Sequence, residues 1–274
     1  MQAPKPASKA ESSPILLRDD RSGIAILTLN QPERSNTISE AMLAALGEAL
    51  AAIARDASMR AVVIAATGRV FCAGHDLKEL TAHRNDRDRG RAFFCRIMET
   101  SSALMQSIIR LPQPVIAAVQ GTATAAGCQL VASCDLAVAS SLATFCTPGV
   151  DIGLFCSTPM VALTRNRAPK HAMHMLRTGD TISAVDAARL GLVNRVVSPG
   201  TERDQALKLA RQIASKSAMT VRLGKETFYR QIDMGLADAY RLTSEVMVEN
   251  MLRHDAAEGI DAFLEKREPK WEDR

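Results

Sequence analysis

A chain of 274 residues with 47% hydrophobic and 23% charged side chains can bury one large core, and its balance is neither that of a disordered nor of a fibrous protein. Its 34 Lys and Arg against 30 Asp and Glu leave a net charge of +4, too mild to call for nucleic acid but suited to a ligand carrying phosphates. Aromatic residues make up only 4%, so there is no platform for stacked bases, and no apolar run reaches the roughly 20 residues of a membrane span.

Residues 1–14, MQAPKPASKAESSP, are rich in Pro, Ser, Ala and Lys without the apolar centre of a secretory signal, and read as a flexible tail. GIAILTLN (23–30) is a strand with apolar residues on both faces. After QPERSN, Ser39 suits a helix N-cap, and Met42, Leu43, Leu46, Leu50 and Ile53 form one stripe of the helix it starts. AVVIAAT (61–67) is a strand of the fully buried kind, followed by a glycine-bearing loop, GRVFCAGHDLKEL. An amphipathic helix is expected over 91–110, stopped by LPQP; the preceding RNDRDRGR (84–91) is either a solvated turn or a basic lip for phosphates. VIAAVQG (115–121) is a third buried strand, followed by a small-residue loop, a helix, and the strands DLAVAS and ATFCT.

Buried strand, small-residue loop and helix thus recur, which predicts parallel strands joined by crossover helices, with functional loops at the strand C-termini. Beyond about residue 157 the chain is mainly helical: 183–197 reads as helix, glycine stop and short strand, and the last seventy residues as three or four helices needing a partner surface. The six cysteines, Cys72, Cys95, Cys128, Cys134, Cys146 and Cys156, have no metal-binding spacing and read as reduced, mostly buried thiols of a cytosol-like compartment.

The stretch TAAGCQL (124–130) carries the chemistry. Small residues leading into an apolar helix expose backbone N–H groups to an anion or a developing oxyanion, although tight helix packing would use the same residues. Beside them stands Gln129, an amide that takes up no proton at neutral pH.

Two segments, RVFCAGHDLKEL (69–80) and AAVQGTATAAGCQLVASCDLAVAS (117–140), together resemble the enoyl-CoA hydratase/isomerase family, the crotonase superfamily. PERSNTIS, TPGVDIGLFCSTP, TGDTISAVDAARLGLVNRVV and EGIDAFLEKREPKW extend the likeness in order along the chain. The resemblance implies an α/β fold: a crotonase-like spiral of ββα units over 15–200, with a C-terminal helical region, 201–274, that packs against neighbours in a homotrimer or dimer of trimers. It implies an acyl-CoA thioester as substrate, no permanently bound cofactor, no metal, and a bacterial-type cytoplasm or a mitochondrial matrix as compartment.

Carried over position by position, the thioester oxygen would be held by the backbone N–H groups of His75 and Ala126. Coenzyme A would be contacted by Arg34, Ala73, His75, Leu77, Lys78, Phe263 and Lys266, with Asp76 as a helix cap. The two glutamates that let hydratases add water fall at Gln129 and Gly149, so both are absent. Asp151 follows where many members carry an acidic or amide residue, although it would equally serve to satisfy loop N–H groups, and Cys156 falls at a position that reaches the acyl pocket, where related decarboxylases use tyrosine.

The implied activity is acyl-CoA chemistry through enolate stabilisation, with efficient water addition not expected unless both glutamates are restored. Decarboxylation of a β-carboxy acyl-CoA and non-catalytic binding of acyl-CoA are the alternatives.

Overall fold

The computed structural model describes residues 13–166 and 168–274; most of the expected tail, residues 1–12, lies outside the described residues. The apolar run of Ile24–Leu29 (β2) is buried along its whole length because both its faces are covered. An unforeseen strand, Leu16–Arg21 (β1), pairs with it antiparallel. Its exposed residues alternate too weakly with apolar ones to show a period. Ala61–Ala66 (β3), Val115–Val119 (β5), Leu136–Ser140 (β7) and Arg195–Val197 (β10) complete a sheet of order β1-β2-β3-β5-β7-β10, parallel from β2 onward.

Three of these strands turn straight into short strands of a second sheet: Val70–Cys72 (β4), Thr122–Thr124 (β6) and Thr144–Cys146 (β8), mutually parallel, with Ile182–Ser183 (β9) antiparallel at the edge. Each turn of chain therefore gives one strand to each sheet before its helix, which is the expected spiral of ββα units. Thr144–Cys146 falls within the expected strand ATFCT, whereas Val70–Cys72 and Thr122–Thr124, only three residues long, were legible in the sequence merely as loops.

Glu40–Arg55 (α1) starts at Ser39, whose side chain accepts from Met42 N–H, and buries the predicted stripe of Met42, Leu43, Leu46, Leu50 and Ile53. Leu77–Ala82 (α2) precedes Arg91–Arg110 (α3), and Ala126–Ser133 (α4) is buried throughout. Ser157–Asn166 (α5), Pro169–Thr178 (α6) and Ala184–Arg189 (α7) follow. Helices α1, α3 and α4 share one core with the inner face of the first sheet. On the other face Ala206, Leu207 and Ala210 of Glu202–Ala214 (α8) pack on Ile24, Ala61, Val63, Ile116 and Val138. The helical region after residue 200 thus begins with a helix that serves the sheet. Ala218–Gln231 (α9), Leu236–Met251 (α10) and His254–Glu265 (α11) bury none or few of their residues and carry exposed Leu236, Tyr240, Met251 and Phe263.

A buried ion pair fastens α9 to this body. Lys225 Nζ donates to Asp135 Oδ2 at 2.7 Å and to the carbonyls of Ile108 and Gln113, while Tyr229 OH donates to Asp135 Oδ1 at 2.9 Å. Five cysteines are buried and Cys95 is exposed, and none of the six is in a disulfide. Among the described residues, no helix is long and apolar enough to cross a membrane, and no three His, Cys, Asp or Glu side chains group as a metal site.

Candidate active site

The loop after β4 is held from outside by the loop after β2. Asn36, fully buried with φ +50°, donates to the carbonyls of Thr67 and Val70 and accepts from Gln31 N–H. Ala73 N–H then donates to Ser35 O, and Ile38 N–H to Gly74 O at 2.7 Å. Because the peptide is trans and planar, tying the Gly74 carbonyl to Ile38 turns His75 N–H the opposite way. That N–H has no acceptor among the described residues.

The same construction recurs at the start of α4. Ala125 O accepts the first helical bond, from Gln129 N–H, so the N–H across that peptide, on Ala126, points out of the helix N-terminus without an acceptor among the described residues. Ala125 itself has φ +50° and ψ −118°, a region alanine rarely enters and one that costs of order 1–3 kcal/mol. Two glycines let the two loops meet. A Cβ on Gly127 would stand 2.2 Å from Cys72 O, and one on Gly74, whose φ is +85°, would stand 3.2 Å from Ala126 N. Two free N–H groups therefore occupy adjoining backbone, one backed by the positive end of a buried helix.

The His75 ring accompanies its N–H inward. Nδ1 lies 3.3 Å from Ile38 O, Nε2 is buried without a partner, and burial holds the imidazole below its ordinary pKa despite the carbonyl. Asp76 caps α2, accepting from Lys78 N–H at 2.9 Å and Glu79 N–H at 3.2 Å, and pairs with Arg34. Burial opposes its charge, yet Glu79 N–H, Arg34, Lys78 N–H and Thr37 together hold its carboxyl below the usual range. Arg34, Ala73, Leu77 and Lys78 are thereby gathered round one helix start, with Leu77 and Lys78 exposed and the basic loop 84–91 following α2. Phe263 and Lys266 are elsewhere: α11 is anchored through Asp255 to the backbone of Glu272 and Asp273, and Phe263 is exposed.

One turn into α4, Gln129 is buried and its Oε1 has no hydrogen-bond partner. Gly149 is buried in the short turn Pro148–Ile152, where Leu154 N–H donates to its carbonyl at 2.8 Å. Cys156 fills the space above it, and burial raises this thiol's pKa, against a hydrogen bond from Gly149, so it stays protonated. Asp151 is exposed and packs over Gly179, its Oδ2 2.9 Å from where a Cβ there would be. Gln129 also lines a cleft of about 420 Å³ between α3, α4, α5 and α9, walled by Met105, Ile109, Val161, Ala162, Tyr229 and Ile232. The clamp by Asn36 was not read from the sequence; its only trace was an Asn, which tolerates positive φ, between a strand and an N-cap.

The spiral of ββα units with paired loops at strand ends defines a crotonase-type α/β protein. The enoyl-CoA hydratase/isomerase family profile matches residues 19–274, and the chain belongs to that family. It is 46% identical over 265 residues to enoyl-CoA hydratase domain-containing protein 3, mitochondrial, of Xenopus laevis, a match covering 97% of this chain and 88% of the frog protein. The human protein of that name is 47% identical over 91% of this chain and 80% of its own length. Among solved structures, an enoyl-CoA hydratase of Mycobacterium smegmatis superposes with a TM-score of 0.90 at 50% identity, covering 94% of this chain and 99% of that one. Human enoyl Coenzyme A hydratase domain-containing protein 3 superposes with a TM-score of 0.90 at 46% identity, covering 94% of this chain and 100% of the human one.

Proposed function

We propose that the protein binds acyl-CoA thioesters and stabilises the enolate form of the bound acyl group, with the N–H groups of His75 and Ala126 receiving the charge on the thioester oxygen. The observation that carries this is the pair of outward-turned, unpartnered N–H groups brought together by Gly74 and Gly127. Donors fixed in this way need no reorganisation as charge develops, and loss of one commonly costs about 3 to 4 kcal/mol of barrier. Arg34 and Lys78 supply positive charge beside them for the phosphates of coenzyme A. Phe263 and Lys266 would reach such a ligand from another copy of the chain, in keeping with the exposed apolar residues of α9–α11 and an assembly of trimers.

Water addition is not part of this reading. It needs a base and an acid, whereas Gln129 has neither property and Gly149 carries no side chain. An acyl group that reaches its enolate by losing CO₂ from the β position needs no base, since the electrons of the broken C–C bond pass to the thioester oxygen and solvent later protonates the α carbon. That makes decarboxylation the enzymatic alternative, and the missing carboxylates equally favour a binder that leaves its ligand unchanged. The relatives named mitochondrial support the matrix as the compartment.

Incubation in D₂O with enoyl-, malonyl-type and saturated acyl-CoAs, followed by mass spectrometry, tests the proposal. Deuterium at the α carbon or CO₂ loss is expected. Unchanged esters that still raise Tm would leave the binder; esters that neither change nor bind would overturn the proposal.

A further inference from the structure

The cleft beside Gln129 has a direction. Along α3 it is lined by Ser102, Met105, Gln106, Ile109 and Arg110, one face of two turns; along α5 by Thr158, Val161, Ala162 and Arg165. Three hydrogen bonds show how these helices lie. Lys225 joins Ile108 O near the end of α3 to Asp135 just past the end of α4, and Asn166 Nδ2 at the end of α5 donates to Ala132 O at 2.7 Å. The C-terminal ends of α3, α4 and α5 therefore converge. Arg110 and Arg165 stand at that end, while Ala126 and Gln129 lie toward the other. From Ala126 to Ser133, which lines the far part of the cleft, the helical rise amounts to about 10 Å.

The ends differ in charge and the middle is apolar. Met105, Ile109, Ala162 and Ile232 give a hydrocarbon-compatible wall. At the far end Arg110 has an amide partner, Gln106 Oε1 at 2.8 Å. Arg165 bonds its own helix at Val161 O, and its nearest carboxylate, Asp233, is 3.8 Å away. Two guanidiniums thus share the cleft with a single carboxylate, itself mostly exposed. At the near end the buried Gln129 Oε1 waits for a donor.

We propose that this cleft holds the acyl chain and selects one that ends in a carboxylate: the monothioester of a medium-length dicarboxylic acid, its far carboxylate bound by Arg110 and Arg165. This rests on the thioester reading above, since it places the carbonyl at Ala126. A plain fatty acyl chain would leave the two cations with only the exposed Asp233 between them, whereas an ω-carboxylate pairs with both through charge-assisted hydrogen bonds.

Calorimetric titration of the full chain with suberyl-CoA and octanoyl-CoA, equal in carbon count and different only in the terminal carboxylate, tests it. The wild type is expected to bind suberyl-CoA about tenfold more tightly, an advantage removed by Arg110→Gln combined with Arg165→Gln without change in octanoyl-CoA affinity. Asp233→Asn, which removes the competing carboxylate, is expected to strengthen suberyl-CoA binding, a gain that a structural role for these residues does not produce. Equal affinity for the two esters in the wild type, or an equal loss of both in the arginine variant, overturns the carboxylate selection alone. Failure of the correctly folded wild type to bind either ester overturns the thioester reading, and this proposal with it.

Discussion

The sulfur of Cys156 lies 2.9 Å from the point where a Cβ on Gly149 would stand, and Leu154 O lies 2.8 Å from the same point. The space that a side chain at position 149 would enter is therefore already filled. Restoring glutamates at Gln129 and Gly149, the obvious route to hydration from sequence alone, must displace the turn through Leu154 and Cys156. We expect Gly149→Glu to lower stability by about 1–3 kcal/mol or more. Hydration of crotonyl-CoA by Gln129→Glu/Gly149→Glu, followed by loss of enoyl absorbance, should not exceed the parent's. A faster folded double variant would show that the turn opens readily.

Ala126 is the first residue of α4, a position where proline fits the helix and removes the N–H. Ala126→Pro is expected to keep its far-ultraviolet circular dichroism and to lose at least about tenfold in acyl-CoA affinity. Normal binding by a folded variant would discard this N–H as a thioester donor.

At its neighbour the strain should show directly. Ala→Gly at an unstrained site commonly loses about 0.4–1 kcal/mol through the unfolded chain. Ala125→Gly is expected to lose nothing or gain stability, because glycine adopts φ +50°, ψ −118° freely. Urea unfolding decides it; an ordinary loss would mean that Ala125 is not strained.

The Asp135 network joins α9 to the ends of α3 and α4. Side-chain exposure is 7% for Lys225 and 14% for Asp135, so Lys225→Met leaves a carboxylate largely out of water. A loss of about 3–5 kcal/mol is expected. Tyr229→Phe, which removes one bond to the same carboxylate, should lose about 1–2 kcal/mol. Comparable small losses from both would show that α9 is held by its apolar contacts instead.

Burial lowers the pKa of His75 from an unfolded value of about 6.5. Between the two values the unfolded chain binds more protons, so stability rises with pH there and is lost as pH falls through that window. The slope of Tm from about pH 7 to pH 5 should be shallower in His75→Asn, which keeps the backbone N–H, than in the parent. An unchanged slope would assign the acid loss to other groups.

Periodicity and buried runs were enough to place β2, β3, β5, β7, α1 and α3, because each buries a continuous face that hydrophobic order alone reports. TAAGCQL likewise announced free N–H groups before a helix, since small residues and the lack of a side-chain cap are local properties. The sequence also determined that neither Gln129 nor Gly149 offers a carboxylate. Only the tertiary structure decided what surrounds Gly149, which touches Cys156 and Leu154 through a turn whose shape no local pattern encodes. The same holds for the Asn36 clamp, the short strands β4 and β6 of the second sheet, the packing of α8 on the first, and the convergence of Arg110 and Arg165 on one cleft. Each depends on contacts between segments far apart in the chain, where shape and charge meet only after the core has formed.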